Sequence, residues 1–433
     1  MAMVVKNNMS ALSTLNTLNK NTKALSKSLQ KVSSGMKINS AADDASGYAI
    51  SERMRVQIRS LDQANSNAQN GGSMMKVAEG AVSSTVEILK TLKEKAVNAA
   101  NDTNTDADRQ TIQKELDQSI DQINDNANVT FNGQYLVDGS KNSKTNATCT
   151  ALTNQNLSTE TGSNTALTKL AARNGDSLNI QETDKVTVSW VKNGQTNTAE
   201  LTVNSATTLA SALKLCTDID VKAEANSYIC RDGSDNSVFT ASGENAVTIT
   251  AKGTGITNQI SGFTISVTDN TGAVRKSANA ALDAFDETLR AQNESKDDNS
   301  INLQVGAKAN QTIKVGLTDM KAQALGLQGS DNKTLQVGNQ KQANAAISVL
   351  DSAIQKALDQ QTTIGAVQSR LEYTQSNLTT ASENVTAAES TIRDADMAKE
   401  MTEYTKNNVL MQAAQSMLAQ ANQSSSNVLS LLQ

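Results

Sequence analysis

The stretch LDQANSNAQNGGSMMKVAEGAVSSTVEILKTLKEKA, residues 61–96, places Leu61, Ala68, Met75, Val82, Leu89 and Ala96 at every seventh position. A seven-residue apolar repeat held this long keeps one stripe of a helix facing a partner helix. A second run near the other end reads Ile364, Leu371, Leu378, Val385 and Ile392. A long middle of different composition separates the two. The runs most simply pack on each other, so the chain leaves as a long helix and returns as one. The fold expected is mainly α: a long antiparallel coiled-coil helical bundle formed by the N- and C-terminal regions, with a β-hairpin element and an inserted mixed β-rich outer domain. That predicts a rod with a domain at its far end.

Composition agrees. Only 2% of the 433 residues are aromatic and 37% are hydrophobic. Large aromatics dominate thick cores, whereas thin bundles need only Ala, Leu, Val and Met seams. The chain has no Pro, which suits long helices. A net charge of −5 without a basic block argues against nucleic acid. The absence of His removes the commonest general base and metal ligand, so Ser-His-Asp, Cys-His and HExxH chemistry are excluded. No cofactor and no enzymatic activity are expected; carboxylate-only chemistry is the one formal exception. Cys149, Cys216 and Cys230 read as free or partly buried thiols, with a Cys216–Cys230 disulfide as the alternative. No apolar run reaches membrane-spanning length, and the start, MAMVVKNNMSALSTL, lacks the apolar core of a cleaved signal peptide. Membrane insertion and an ordinary cleaved signal are therefore not expected.

Along the chain, residues 4–32 carry a heptad seam at Leu15, Leu18, Thr22, Leu25, Leu29 and Val32. Such a polar helix is marginal alone, which suggests a segment that folds on meeting a partner. SSGMKINSAADD, residues 33–44, reads as an extended connector; Asp44 or Ser40 caps the next helix, and Ser40 with Asp43 has capping-box spacing. A long helix over about 45–100 follows, then a turn, then a helix opened by Thr105 and Asp108 with an apolar face at Ile112, Leu116, Ile120 and Ile123. Val129–Val137 changes period around an Asn-Gly turn.

Residues 141–298 read as one or two small mixed β domains. Val186–Val191 and Ala199–Val203 form a hairpin across Asn193-Gly194, with a short helix over Thr207–Leu215. Strands are expected at Val247–Thr250 and Phe263–Val267, a helix over Leu282–Arg290, and a linker from Ser295. Trp190 and most Phe and Tyr residues are assigned to cores. Residues 301–317 alternate as a second hairpin, and Ile347 begins the returning helix. The last segment continues a seam at Met397, Met401, Tyr404, Met411 and Leu418, with Asn408 and Gln415 in it. Val428, Leu429, Leu431 and Leu432 form an apolar end that implies contact with another chain.

VSSGMKINSAADDASG, residues 32–47, closely resembles the bacterial flagellin N-terminal pattern L-S-S-G-L-R-I-N-S-A-x-D-D-A-A-G. The end is similar too, at Arg393-Asp-Ala-Asp396, Ser416-Met-Leu-Ala-Gln-Ala-Asn-Gln423 and Asn427-Val-Leu-Ser-Leu-Leu432. Phe131-Asn-Gly133, and Leu303-Gln-Val-Gly-Ala307 with Ala324-Leu-Gly-Leu327, match the family's hairpin signatures. The resemblance covers roughly residues 1–140 and 299–433. Two departures, Ser424-Ser-Ser426 for V-P-Q and Gln433 for Arg, leave the apolar seam in place.

The resemblance implies a structural subunit that polymerises into the flagellar filament, an extracellular homo-polymer. It implies a flagellar secretion apparatus, an export chaperone and a filament cap as partners, with export in unfolded form and folding of the terminal helices on assembly. Residues 1–44 and 394–433 are then the terminal helices of the inner core, 45–140 and 299–393 the helical bundle with hairpins, and 141–298 the variable, surface-exposed insertion. The alternatives are a hook-filament junction protein, or a filament subunit whose outer domain is an adhesin or glycan-bearing surface. A zinc protease insertion, known in some members, is excluded without His. The family also implies a surface read by a host toll-like receptor, on an R-V-R-E-L-A-V stretch. The aligned residues are Thr91-Leu-Lys-Glu-Lys-Ala-Val97. Glu94, and Glu115 on the following helix, match; Lys93 keeps a charge without the Arg fork. Thr91 replaces an Arg and Lys95 a Leu, so weakened binding is expected.

Overall fold

The computed structural model describes residues 8–222, 227–240 and 246–430. Residues 4–7 of the expected first helix, and the side chains of Val428, Leu429, Leu431 and Leu432, lie outside the described residues. In chain order the elements are α1 (Met9–Ser34), α2 (Ala45–Ala99), α3 (Asp106–Ala127), β1 (Thr130–Phe131), β2 (Gln134–Tyr135), β3 (Ala151–Asn154), β4 (Lys185–Lys192) and β5 (Gln195–Thr202). There follow α4 (Leu209–Leu213), β6 (Ile219–Lys222), β7 (Tyr228–Arg231), β8 (Ser237–Phe239), β9 (Val247–Ala251), β10 (Ile260–Thr268), α5 (Lys276–Leu282) and β11 (Phe285–Leu289). The chain finishes with β12 (Ile301–Gln304), β13 (Thr312–Val315), α6 (Gln340–Arg393) and α7 (Met397–Ser430).

Two compact units form. One comprises the described residues within 1–68, 304–311 and 373–433; the other, those within 69–303 and 312–372. In the first, the opening of α2 meets the close of α6: Leu61, Ala64 and Leu378 are buried together, with Ala307, Ala381 and Val385 packed against them. Arg55 pairs with Glu389 at 2.9 Å, and Ser382 donates to Asp62 at 2.9 Å. Positions rise on one helix as they fall on the other, so the pair is antiparallel. The second unit repeats this, with Gln368 donating to Glu79 at 2.8 Å and Lys93 pairing with Asp351 at 2.5 Å. Met75, Val82, Leu89, Ala96, Ile364 and Leu371 are completely buried there, as the heptad runs require.

Local chemistry sets the element ends. Thr105 and Asp108 complete a reciprocal capping box at α3, and Leu116, Ile120 and Ile123 are buried. Asn132 and Gly133 both take positive φ, and Asn193 and Gly194 do the same, as tight hairpin turns demand. Asp44, not Ser40, caps α2: its Oδ1 accepts from the Ser46 and Gly47 amides at 3.0 Å. Asp43 instead accepts from the Asn39 and Ser40 amides, closing the turn before the cap.

The strand-rich middle holds sheets β10-β4-β5 and β11-β3-β9-β6 and the hairpin β7-β8. They enclose a core with Val186, Val188, Trp190, Leu213, Cys216, Ile249 and Phe263. Three expectations are corrected. The helix expected over Leu282–Arg290 is strand β11, preceded by α5. Phe285-Asp-Glu-Thr-Leu289 alternates in burial, and its backbone pairs with β3, so sheet pairing overrides helical propensity. Trp190 is buried, but Tyr135, Tyr228, Phe239 and Tyr373 are exposed. Cys216 and Cys230 belong to different cores, which removes the disulfide considered between them.

Candidate assembly surface

The terminal helices α1 and α7 lie side by side in the first unit. Asn8 Nδ2 donates to the Ala421 carbonyl at 3.2 Å and Asn21 Nδ2 to that of Leu410 at 3.2 Å. Asn407 Nδ2 donates to Ser28 Oγ at 3.1 Å, and Lys31 pairs with Glu400 at 3.3 Å. Rising positions on α1 meet falling ones on α7, so this pair is antiparallel as well. Asn8 caps α1 through the Ala11 amide, and Gly35 ends it with φ +70°. A side chain at Gly35 would meet nothing, so backbone freedom alone explains the glycine.

Both connectors meet beneath this pair. Met36 bridges Asp394, Lys37 N donates to the Arg393 carbonyl at 2.8 Å, and Ala395 N to that of Gly35 at 2.9 Å. Arg393, 6% exposed, is the hub. Its Nη1 donates to Glu52 at 2.5 Å and to Ser51 at 3.4 Å, and its guanidinium lies 5.3 Å from the Tyr48 ring centroid. That guanidinium holds the Glu52 carboxyl below its usual range. Gly47 is required by close approach: a Cβ there would stand 2.8 Å from Ile38 Cδ1 and 2.5 Å from Asp44. Sequence reading singled out Arg393 only as part of a motif, and gave Glu52 and Tyr48 no role.

The seam of the pair differs from the expected one. On α1 the residues turned inward include Ala11, Thr14, Leu18, Asn21, Leu25, Ser28 and Val32. Leu18, Leu25 and Val32 are shared with the expectation. Leu15 and Leu29 are exposed, at 41% and 52%. On α7 the inward residues include Tyr404, Asn407, Asn408, Met411, Ala414 and Leu418, while Gln415 is exposed. Met397 and Met401, placed in the seam by spacing, are exposed, at 43% and 45%. Two heptad frames overlap on α1. The chain's own partner takes the more polar one, where Asn21 and Ser28 bond across. The unshared positions of the apolar frame stay open: Leu15 and Leu29, with Met9 and Leu12 on α1 and Met397, Met401, Val409, Leu410 and Met417 on α7, remain uncovered. The exposed Val409 and Leu410, with Thr402, Thr405 and Lys406, line a shallow depression.

The receptor-pattern residues lie in the second unit. Thr91 and Glu94 are exposed on α2. Lys95 crosses to α3 and pairs with Glu115 at 2.9 Å. Lys93 turns instead to Asp351 of α6. Thr91, Glu94 and Lys95 thus sit on neighbouring turns beside Glu115, and Lys93 is engaged elsewhere. Among the described residues no group of His, Cys, Asp and Glu is placed to hold a metal ion, and no helix is long and apolar enough to cross a membrane.

Comparison with known proteins completes the picture. The profile described as bacterial flagellin N-terminal helical region matches residues 5–142, and that of the bacterial flagellin C-terminal helical region matches residues 347–432. A flagellin of Clostridium tyrobutyricum is 35% identical over 429 residues, covering 97% of this chain and 99% of that one. A flagellin of Bacillus subtilis is 32% identical, covering 99% of this chain and all (100%) of that one. A flagellar filament 33 kDa core protein of Treponema phagedenis is 29% identical, with 99% and 100% covered.

Proposed function

The chain belongs to the bacterial flagellin family and is a structural subunit of the flagellar filament, and from that premise we propose that it polymerises through the open apolar faces of α1 and α7. The observation that carries this reading is the uncovered row Leu12, Leu15 and Leu29 beside a pair seam in which Thr14, Asn21, Ser28, Asn407 and Asn408 stand among the apolar residues. Burying a side chain of this size stabilises by about 1.5–3 kcal/mol. Several such burials per subunit offset the entropy of ordering two helices. Contacts that join unlike faces and do not close generate an open helical polymer. Residues 1–44 and 394–433 supply the inner core, 45–140 and 299–393 the bundle around it, and 141–298 the outward face. The expected seam residues thus divide: Leu18, Leu25, Val32, Tyr404, Met411 and Leu418 join α1 to α7, and Leu15, Leu29, Met397 and Met401 join subunits.

The polar seam has a second consequence. With Asn and Ser where apolar residues would hold it, the α1–α7 pair is marginal in a lone subunit and settles on assembly. Export in unfolded form, with an export chaperone, the secretion apparatus and a filament cap as partners, belongs to this reading. So does a toll-like receptor that meets Thr91, Lys93, Glu94, Lys95 and Glu115 weakly.

Seeded polymerisation followed by electron microscopy tests the assembly surface. Leu15→Asp and Met401→Asp should leave the folded units intact by circular dichroism and block elongation. Filaments growing at the parent's rate from both variants would disprove the assignment.

A further inference from the structure

We propose that Cys149 and Cys230 form a paired-thiol site that closes to an intrachain disulfide on meeting a small-molecule disulfide or dissolved dioxygen. All three cysteines are free. Cys216 is 1% exposed in the large middle core. Cys149 belongs to a separate small cluster with Ala151 and Ile229, and Cys230, Val238 and Leu289 pack against it. Cys230 thus packs against the cluster that holds Cys149, and its thiol acts on that of Cys149 as a neighbouring group. Cys230 Sγ in turn donates to the Arg231 carbonyl at 3.5 Å. The two sulfurs are therefore neighbours, although 80 residues stand between them in sequence.

The backbone on each side keeps them so. Asn146 N donates to the Gly233 carbonyl at 3.0 Å, tying the approach to Cys149 to the β7–β8 turn. Thr148 N donates to the Gln292 carbonyl at 3.1 Å, and Cys230 lies opposite Val238 in the hairpin.

Exposure sets the order of events. Cys230 is half-buried and Cys149 is buried. The Cys230 thiolate attacks a small disulfide, forms a mixed disulfide and releases one thiolate, which takes up a proton. Cys149 gives up its proton, attacks the Cys230 sulfur and expels the second small thiolate. Two protein thiols thereby lose two electrons and two protons, and the small disulfide becomes two thiols. With dioxygen as acceptor the same electrons and protons give hydrogen peroxide. Burial, then the adjacent thiol, pushes Cys149 up to about 12, which makes it the second and slower partner. The bond would fasten the β7–β8 hairpin beside β3 and constrain the unfolded chain. An exterior free of cellular reductants rests on the filament reading; the chemistry does not, since neither cysteine lies in α1 or α7.

The purified full chain is incubated with oxidised glutathione, denatured, titrated for thiols and digested without reduction for mass spectrometry. Free thiols should fall from three to one, with a peptide pair linking Cys149 to Cys230 and a melting temperature raised by several degrees until dithiothreitol is added. Cys216→Ser should still lose two thiols. Three thiols remaining, a link to Cys216, chain-to-chain dimers, or a parent that stops at glutathionylated Cys230 would each overturn the proposal. Filament growth is scored separately by seeding, so failure of one reading leaves the other standing.

Discussion

Arg393 shows how much one side chain can hold. It joins Glu52, Ser51, Tyr48 and the Met36 sulfur at the point where both terminal helices leave the rest of the chain. A charged hydrogen bond contributes about 1.5–3 kcal/mol, so Arg393→Ala should destabilise by about 2 kcal/mol, read as a lowered denaturant midpoint. The Glu52 carboxyl is held below its usual range by that guanidinium. A depressed acid contributes stability that is full above its unfolded value and is lost as pH falls through the folded one. The parent should therefore lose stability below about pH 4.5 more steeply than Glu52→Gln, and equal acid slopes would remove Glu52 from the account. The proposed receptor contact is tested at the same scale. Thr91 Oγ1 bonds back to the Glu87 carbonyl at 3.1 Å, and Lys95 occupies Glu115. An Arg missing from an interface hot spot costs roughly 2 kcal/mol or more, and Lys95 adds a desolvation cost. Thr91→Arg with Lys95→Leu should raise reporter activation by the monomer at least tenfold, while a parent as potent as the double variant would clear both positions.

At the scale of elements, helices were legible and their neighbours less so. Periodicity located α2 and α6 because Leu61 to Ala96 and Ile364 to Ile392 carry one dominant apolar frame. On α1 two frames overlap, and spacing chose the more apolar one, whereas the helix pair uses Asn21 and Ser28 to bond across. Nothing local reveals which frame a helix reserves for its own chain and which for a neighbour. The same limit explains Phe285–Leu289: only β3, more than a hundred residues away in sequence, makes it a strand. β3 itself hid in a polar, Thr-rich run, yet all four of its residues are buried, with Thr153 hydrogen-bonded to Thr248 at 3.1 Å. A pair joined by such contacts should be the least protected helical part of a lone subunit. Limited proteolysis should trim both ends of the monomer and spare the filament, and equal protection in both states would end the coupled-folding idea. Truncation before Met397 should abolish polymerisation while the α2–α6 helices stay folded.

At the scale of the molecule, the middle region enters and leaves through adjacent segments joined by isolated backbone bridges. Asn299 N donates to the Asn142 carbonyl at 3.1 Å, and Thr145 and Ser295 exchange backbone bonds at 3.2 and 2.9 Å. Gly139 and Ser300 flank this point, so a short linker can join them without stretching the bundle. The region does not hang free of the helices in its own unit. Arg290 pairs with Asp359 at 2.7 Å, and Lys341 with Glu200. A Cβ on Gly262 would stand 2.6 Å from Val349 and 3.1 Å from the Ala345 carbonyl, so β10 rests directly on α6. Deletion of residues 141–298 therefore has two effects of different kind. It uncovers the face of α6 around Ala345 and Val349, both completely buried in the intact chain, and loses the ion pairs, so the shortened monomer should melt at a lower temperature. It leaves α1, α7 and the Arg393 hub untouched, so seeded growth should continue and give filaments thinner than the parent's by electron microscopy. A shortened chain that folds and never elongates would place the middle region among the surfaces that polymerise.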